Sequence, residues 1–194
     1  MGAYEIKVIN NAQTLIHGAL SWNSIQQQCF NDLAVGSTHQ FNVGQGWHDL
    51  TILMGSKEHK FNENDNNKIN IGRLLLQGLT IAVPGAGIAL WGITMSVDPI
   101  AGTDLLRIGT RPTGAKEQDW NVKITAAPNV KVFPVVVTQL FAPHGYDITI
   151  TGGEMTAKRD KAANTLLVTE VKPLHLHWKN TTNGNSGDVV APTS

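Results

Sequence analysis

Alternating apolar and polar positions recur along this chain and predict β-strands. Four segments share one pattern, in which an acidic residue, usually beside an aromatic one, precedes an alternating stretch that ends at a turn. Alternation places one set of side chains on an inner face and the other toward water. The four predicted strands cover residues 4–9, 48–54, 119–125 and 146–151.

Further strand patterns extend this prediction over the second half of the chain. They cover residues 130–140, where Pro134 indicates a sheet edge or a bulge, and residues 166–171 and 174–178. Turn residues recur in places at intervals of about 8–12 residues, which is typical of β-sandwiches. The pattern therefore predicts an all-β protein built as an antiparallel β-sandwich.

The length and the distribution of polar residues define the expected domain. A chain of 194 residues, 41% of them hydrophobic, is long enough to bury one real core. We predict a single β-sandwich domain over residues 1–178, with residues 57–118 inserted into the β framework. Within this insertion, residues 98–118 are rich in Gly, Pro and charge and are expected to form a connector. The polar residues 179–194 are expected to form a disordered tail.

The run over residues 74–97 is the most unusual feature, because it contains no charged residue and no histidine. A single membrane-spanning helix needs about 20 apolar residues, so the length would suffice. Helix-breaking residues disfavour a straight helix and favour a hairpin of two short helices or of two strands. These residues are Gly78, Pro84, Gly85, Gly87 and Gly92.

Read as strands, the run forms an apolar hairpin with arms at 74–83 and 88–97, each about as long as a membrane-spanning strand. Each arm has one apolar face and one smaller, partly polar face. The same alternation is typical of a core hairpin or a subunit contact, so core, interface and membrane insertion all stay open. The candidate membrane-inserting or oligomerising residues are Leu79, Ile81, Val83, Trp91, Ile93 and Met95.

Composition and the first residues of the chain exclude a nucleic-acid partner and a disulfide framework, and they indicate where the protein is made. Lys and Arg number 15, as do Asp and Glu, so the formal net charge is zero and no cationic face for nucleic acid is expected. The single cysteine, Cys29, excludes an internal disulfide framework. The first residues lack a basic segment followed by an apolar one, which predicts synthesis in a cytoplasm without a signal peptide and release by another route.

No catalytic motif is recognisable, so we expect a protein that is not an enzyme and needs no cofactor or metal. Cys29 and His17 would be a nucleophile pair only with a third, orienting residue, and none is evident. His175 and His177 lie two apart on one strand face, as metal ligands do, but the sequence nearby offers no third ligand. The oxygen-rich residues 63–66 lack the spacing of a calcium loop.

Aromatic side chains are the best candidates for a binding surface. They would stack on a sugar or lie at a lipid interface. The cluster Trp47-His48-Asp49 is expected to be exposed because it follows the turn at 44–46. The candidate lipid- or ligand-binding residues are Trp22, Trp47, Trp120 and Tyr146.

Several short segments resemble the aegerolysin family of β-sandwich cytolysins. The likeness lies in Ile-Lys-Val-Ile-Asn-Asn at 6–11, Leu-Ser-Trp at 20–22, the glycine-bounded segment 44–55, the stretch from 119 to 137, and the strand at 146–151. It implies a lipid-recognising protein that is not an enzyme, often works with a larger pore-forming partner and is sometimes insecticidal. Trp22, Trp47 and Trp120 would then hold the lipid head group. The insertion at 57–118 departs from the family.

These observations predict a protein that binds membrane lipid and forms pores, with a cytolytic or insecticidal action. The alternatives are a lectin-like module that binds carbohydrate and a self-assembling structural protein in which the apolar hairpin is a subunit interface. The expected partners are membrane lipid or a surface glycan, together with further copies of the chain or a protein co-toxin.

Overall fold

Fourteen β-strands and no helix make up the part of the chain that the computed structural model describes, which is residues 4–54, 60–62, 95–110, 123–126, 135–162 and 165–191. The predicted all-β fold, with antiparallel sheets packed as a β-sandwich, is confirmed. The strands are β1 (Tyr4–Asn10), β2 (Ile16–Trp22), β3 (Ile25–Leu33), β4 (Thr38–Val43), β5 (Gly46–Met54), β6 (Met95–Pro99), β7 (Leu105–Thr110), β8 (Lys123–Ala126), β9 (Val135–Ala142), β10 (Tyr146–Thr151), β11 (Met155–Asp160), β12 (Thr165–Val171), β13 (His175–Asn180) and β14 (Ser186–Val190).

The strands form three sheets. Sheet A has the order β14-β13-β10-β1-β4, sheet B the order β3-β2-β5-β9, and sheet C the order β6-β7-β11-β12-β8. The pairs β1–β10 and β8–β12 are parallel, and the other pairs are antiparallel. In the first parallel pair Ile6 lies opposite Tyr146, and Asn10 lies opposite Ile150.

One hydrophobic core joins the three sheets, because buried side chains from all of them belong to a single cluster. In β10 every second residue is buried, as alternation requires of a strand with one covered face. Val8 from sheet A, Ile52 from sheet B and Leu166 from sheet C are all almost fully buried. Phe41 of β4 is among the largest fully buried side chains.

A short segment at residues 60–62 lies against the outer face of sheet B. The Asn31 side chain donates to the Phe61 carbonyl at 2.8 Å and accepts from the Phe61 backbone N–H at 3.0 Å. Gln26 Nε2 donates to the Asn62 carbonyl at 2.6 Å, and Lys60 pairs with Asp32. The buried Phe61 ring packs with Ala19 and Leu53 in a second, smaller apolar cluster, and the partly buried Cys29 and Val137 pack against it.

Most predicted strands are present where the structure describes them. Residues 4–9, 48–54 and 146–151 lie in β1, β5 and β10, and residues 166–171 lie in β12. Of residues 174–178, all but Leu174 lie in β13. Only 123–125 and 135–140 of the two remaining predictions fall within the described residues, and these lie in β8 and β9.

The expected disordered tail is wrong for residues 186–190, which form β14 against β13. Val189 packs against the core and Ala191 is buried, so two small apolar side chains anchor a mainly polar stretch. Gly187 lies against the Trp178 ring, where an added Cβ would approach Cζ2 at 2.6 Å. Glycine at this position permits the close contact between β14 and the Trp178 ring, a feature that composition does not reveal.

The expected connector at 98–118 is also wrong for residues 105–110, because β7 pairs with both β6 and β11 in sheet C. β6 contains Met95, which lies opposite Thr110 of β7. The first arm of the predicted apolar hairpin and most of the second lie outside the described residues. So do the candidate residues Leu79, Ile81, Val83, Trp91 and Ile93.

A histidine on the inner side of β4 is expected to make the stability of the protein depend on pH. The His39 ring lies between Phe30 and Phe41, with ring centroids 4.7 and 4.8 Å away. Burial lowers the pKa of His39. The folded protein therefore holds His39 neutral at pH values where the unfolded chain already binds a proton.

We expect the free energy of unfolding to fall as the pH drops below about 6.5, the ordinary pKa of histidine, because the unfolded state then binds more protons. A His39→Gln variant should show a weaker dependence on pH over this range. Urea unfolding above and below this pKa measures the difference, with Thr38→Ala on the exposed side of β4 as the control. Equal slopes for wild type and His39→Gln would contradict the assignment.

Candidate functional site

Exposed aromatic and aliphatic side chains gather at one end of sheet B. The register of β2 and β5 places Ser21 opposite Asp49, so Trp22 and Trp47 both lie within two residues of this pair. The turns β2–β3, β4–β5 and β9–β10 close the same end. We call the side chains of Trp22, Ile25, Trp47, Phe141 and His144 at this end the aromatic rim.

The β2–β3 hairpin presents an apolar tip. Its two turn residues, Asn23 and Ser24, have φ values of 52° and 64°. Positive φ at both central residues defines a type I′ turn, whose twist matches that of the flanking strands. Trp22 and Ile25 are paired across this turn, and they are 54% and 41% exposed. The tip thus projects two large apolar side chains into solvent.

The second tryptophan of the rim lies on the opposite face of sheet B. Trp47 is 55% exposed and lies opposite Phe141 of β9, with ring centroids 4.7 Å apart. The His144 ring follows at 6.2 Å from that of Phe141. Since Trp47 shares its face with Asp49 and Ser21, while Trp22 follows Ser21 directly, the two tryptophans project from opposite faces. The rim is therefore apolar on both sides of the sheet.

Tyr146 is buried next to the rim and contacts the backbone of Phe141, one of the rim residues. Only 7% of it is exposed, and its hydroxyl lies 3.3 Å from the Phe141 nitrogen and 3.2 Å from the Phe141 oxygen. Its ring also packs edge-on against Trp178, with centroids 6.2 Å apart. The candidate ligand contact Tyr146 thus has its polar atom engaged with the β9 backbone. The candidate Trp120 lies outside the described residues.

The expected exposure of Trp47-His48-Asp49 is wrong for its central residue. His48 is 8% exposed because alternation turns it toward the inner face, and its Nε2 donates to the Gly44 carbonyl at 3.0 Å. Among the described residues its Nδ1 is buried without a hydrogen-bond partner. On the outer face, Asp49 accepts a hydrogen bond from Gln139 Nε2 at 3.2 Å.

The rim has very little charge. Residues 21–26, 43–49 and 139–146, which form this end of the sheet, include no Lys or Arg and only one carboxylate, Asp49. The surface is therefore apolar and nearly neutral, with hydrogen-bonding groups supplied mainly by amides and hydroxyls.

The other candidate groups have different surroundings. His17 is fully buried, and its Nδ1 accepts the Asp32 backbone N–H at 2.9 Å, so this nitrogen is not available as a base for the Cys29 thiol. The oxygen-rich residues 63–66 lie outside the described residues. In the described ranges no helix is long and apolar enough to cross a membrane. Among the same described residues, no group of three or more His, Cys, Asp or Glu side chains is placed so that it could hold a metal ion.

His175 and His177 both contact Asp188, an acidic residue that lies on the neighbouring strand β14 and not in their own stretch of sequence. Asp188 Oδ1 lies 2.9 Å from His175 Nε2 and 2.9 Å from His177 Nδ1. The hydrogen bond from His177 lowers the pKa of the Asp188 carboxyl. Asp188 is eleven residues from His177 along the chain, and only the pairing of β13 with β14 brings them together.

Ile25, Phe141 and His144 were missed as rim residues, because each joins the rim through strand pairing rather than through a local motif. Comparison of the chain with protein-family models, with curated proteins and with solved structures returned no match.

Proposed function

We propose that this protein binds the surface of a lipid membrane through the aromatic rim. The observation that carries the proposal is the presence of two half-exposed tryptophans, Trp22 and Trp47, at one end of sheet B. Tryptophan favours the membrane interface, because its ring is apolar and its indole N–H still reaches a polar partner. The resemblance to aegerolysins gives the same expectation for these two residues.

The area available at the rim is sufficient for binding. Burying the exposed half of each tryptophan would contribute about 2 kcal/mol, and the exposed part of Ile25 would add about 1 kcal/mol. The rim projects from both faces of the sheet, so the end of the sandwich would enter the interface with its strands pointing toward the membrane. Asn23, Ser24 and Gln45 in the turns would meet the head groups.

The near absence of charge at the rim favours a zwitterionic lipid such as phosphatidylcholine. Anionic membranes attract Lys and Arg by about 1 kcal/mol for each residue near the surface. The rim segments carry no such residue, and Asp49 would be repelled. Binding should therefore depend little on salt, since it rests on apolar burial rather than on counter-ions.

The test is flotation of the full chain with phosphatidylcholine vesicles at low and high salt, beside vesicles enriched in phosphatidylserine. We expect flotation with phosphatidylcholine at both salt concentrations and no gain from phosphatidylserine. Flotation that requires phosphatidylserine and disappears in salt would overturn the proposed lipid class. The absence of flotation with every mixture would overturn the function.

Pore formation is a further step of the proposal, in which residues 74–97 insert after docking. Release of a dye trapped in the same vesicles measures this step separately. Flotation with leakage supports insertion, whereas flotation without leakage limits the protein to lipid binding.

A second candidate function, binding of a sugar, is favoured by the arrangement around Trp47. On one face its ring lies beside Phe141, and the hydrogen-bonded pair Asp49–Gln139 follows two register positions further along the same face. An aromatic platform beside carboxylate and amide groups suits a pyranose ring and its hydroxyls. Binding on a glycan array without vesicle flotation would favour this function.

A further inference from the structure

A cleft lies in sheet C, where β11 ends and the chain turns toward β12. Its volume is about 710 Å³, which falls in the range of about 300–1,000 Å³ that is usual for small-molecule sites. The neighbouring strands β7, β11 and β12 each contribute side chains to its wall. None of these side chains belongs to the aromatic rim, so the cleft is a separate feature of the molecule.

Two leucines form the apolar part of the cleft. Leu106 is partly buried and packs against the hydrophobic core, whereas Leu167 is 37% exposed. Leu106 lies opposite Ala157 of β11, and Leu167 lies opposite the next residue of that strand, Lys158. The two leucines therefore flank β11 at adjacent register positions. An exposed aliphatic side chain in the wall of a cleft provides contact area for the apolar body of a ligand.

Positive charge gathers at the same place. Lys158, Arg159 and Lys161 line the cleft, and all three are exposed. Within the described part of the chain, Lys158 and Lys161 form no ion pair and no side-chain hydrogen bond. Lys172, by contrast, pairs with Glu154 at 3.1 Å. The alkyl stems of the two unpaired lysines extend the apolar wall, while their ammonium groups stay available to an anion.

Two carboxylates in the wall limit the charge of the ligand that the cleft would accept. They are Asp104 and Asp160. Oδ1 of Asp160 accepts the Ala162 backbone N–H at 2.9 Å, so this carboxylate also stabilises the turn after β11. With three cationic and two anionic side chains, the lining carries one net positive charge. A ligand with a single negative charge matches this lining, whereas a multiply charged anion would be repelled by both carboxylates.

We propose that this cleft binds an organic anion that has an apolar body and a single carboxylate, for which decanoate is the probe. The carboxylate accepts charge-assisted hydrogen bonds from Lys158 and Lys161. The aliphatic chain lies against Leu106 and Leu167 and is withdrawn from water. This inference does not rest on the proposed membrane binding, because the cleft and the aromatic rim have no residue in common.

Isothermal titration of the full chain with sodium decanoate, below the concentration at which it forms micelles, tests the proposal. We expect one decanoate per chain, with affinity reduced about three- to tenfold in Lys158→Gln and in Lys161→Gln, and further in the double variant. Lys179→Gln is the matched control, because it removes the same charge from an exposed position of sheet A. It should bind decanoate as wild type does. Thermal unfolding establishes that each variant is folded.

Two further probes separate the contributions of the charge and of the chain. Acetate has the carboxylate without the apolar body, and decyltrimethylammonium has the same chain length with a positive charge. We expect neither to bind measurably at the concentrations at which decanoate binds. Equal affinity for decanoate and decyltrimethylammonium would overturn the proposal, because the chain alone would then account for binding. Unchanged decanoate affinity in the double lysine variant, or no decanoate binding by wild type, would overturn it as well.

Substitutions at the leucine and at the rim establish where decanoate binds. Leu167→Ala should weaken decanoate binding about fivefold, since it removes part of the apolar wall. The double variant of Trp22→Ala and Trp47→Ala should bind decanoate as wild type does, whether or not it still binds vesicles. Loss of decanoate binding in the tryptophan variant, with wild-type binding by Leu167→Ala, would place decanoate at the rim and overturn the proposal.

Discussion

Replacing both Trp22 and Trp47 by alanine should weaken binding to phosphatidylcholine vesicles by about two to three orders of magnitude. Each side chain is about half exposed, and burying the exposed part in the interface contributes about 2 kcal/mol, with 1.4 kcal/mol per factor of ten. Each single substitution should cost about one order of magnitude. Vesicle partitioning, followed by sedimentation at increasing lipid concentration, measures the change.

Leu167→Ala is the control for this experiment. Leu167 is 37% exposed on sheet C, away from the rim, so its loss removes exposed apolar area without touching the proposed docking surface. Its partitioning should equal that of wild type. Wild-type binding by the double tryptophan variant would show that the rim is not the surface that meets lipid.

Replacing Phe41 by alanine should reduce the free energy of unfolding by about 3–5 kcal/mol, a large part of the stability of a domain of this size. Phe41 is fully buried, and its ring lies 5.6 Å from that of Phe30 and 4.8 Å from that of His39. Truncation would leave a cavity between the edge strand β4 and β3. Urea unfolding measures the loss.

Phe41→Leu is the matched comparison, because it keeps most of the buried volume and should cost clearly less than Phe41→Ala. A loss below about 1 kcal/mol for Phe41→Ala would show that β4 contributes little to the core. Gln40→Ala on the exposed face of the same strand should have almost no effect.

Strands with one buried and one more exposed face were predictable from alternation, as β1 and β10 show. β3 was not, because its residues Gln26, Gln27 and Gln28 are all polar and only Gln26 among them is buried. At a sheet edge the side chains that face water outnumber those that pack, so the apolar signal is lost. For the same reason the sequence pattern did not predict β14, in which Val189 packs against the core among mainly polar neighbours.

The candidate site was predictable as a set of residues but not as a surface. Trp22 and Trp47 were identified by type, yet their common location depends on the register of β2 and β5, which local sequence does not encode. Tyr146 has the expected position in its strand, but the β9 backbone takes up its hydroxyl. Asp188 is a similar case, since its contacts with His175 and His177 depend on which residue of β13 it faces.

The parallel pairing of β1 with β10 has a consequence for how the chain is made. β1 pairs with β4 early in the sequence, but its other edge stays open until residues 146–151 have been synthesised. At about 5–20 residues per second, translation alone delays this pairing by several seconds or more. Pairing over so long a separation also folds slowly once the chain is complete. The newborn protein therefore carries an unpaired strand, with Ile6 and Val8 uncovered, through most of its synthesis.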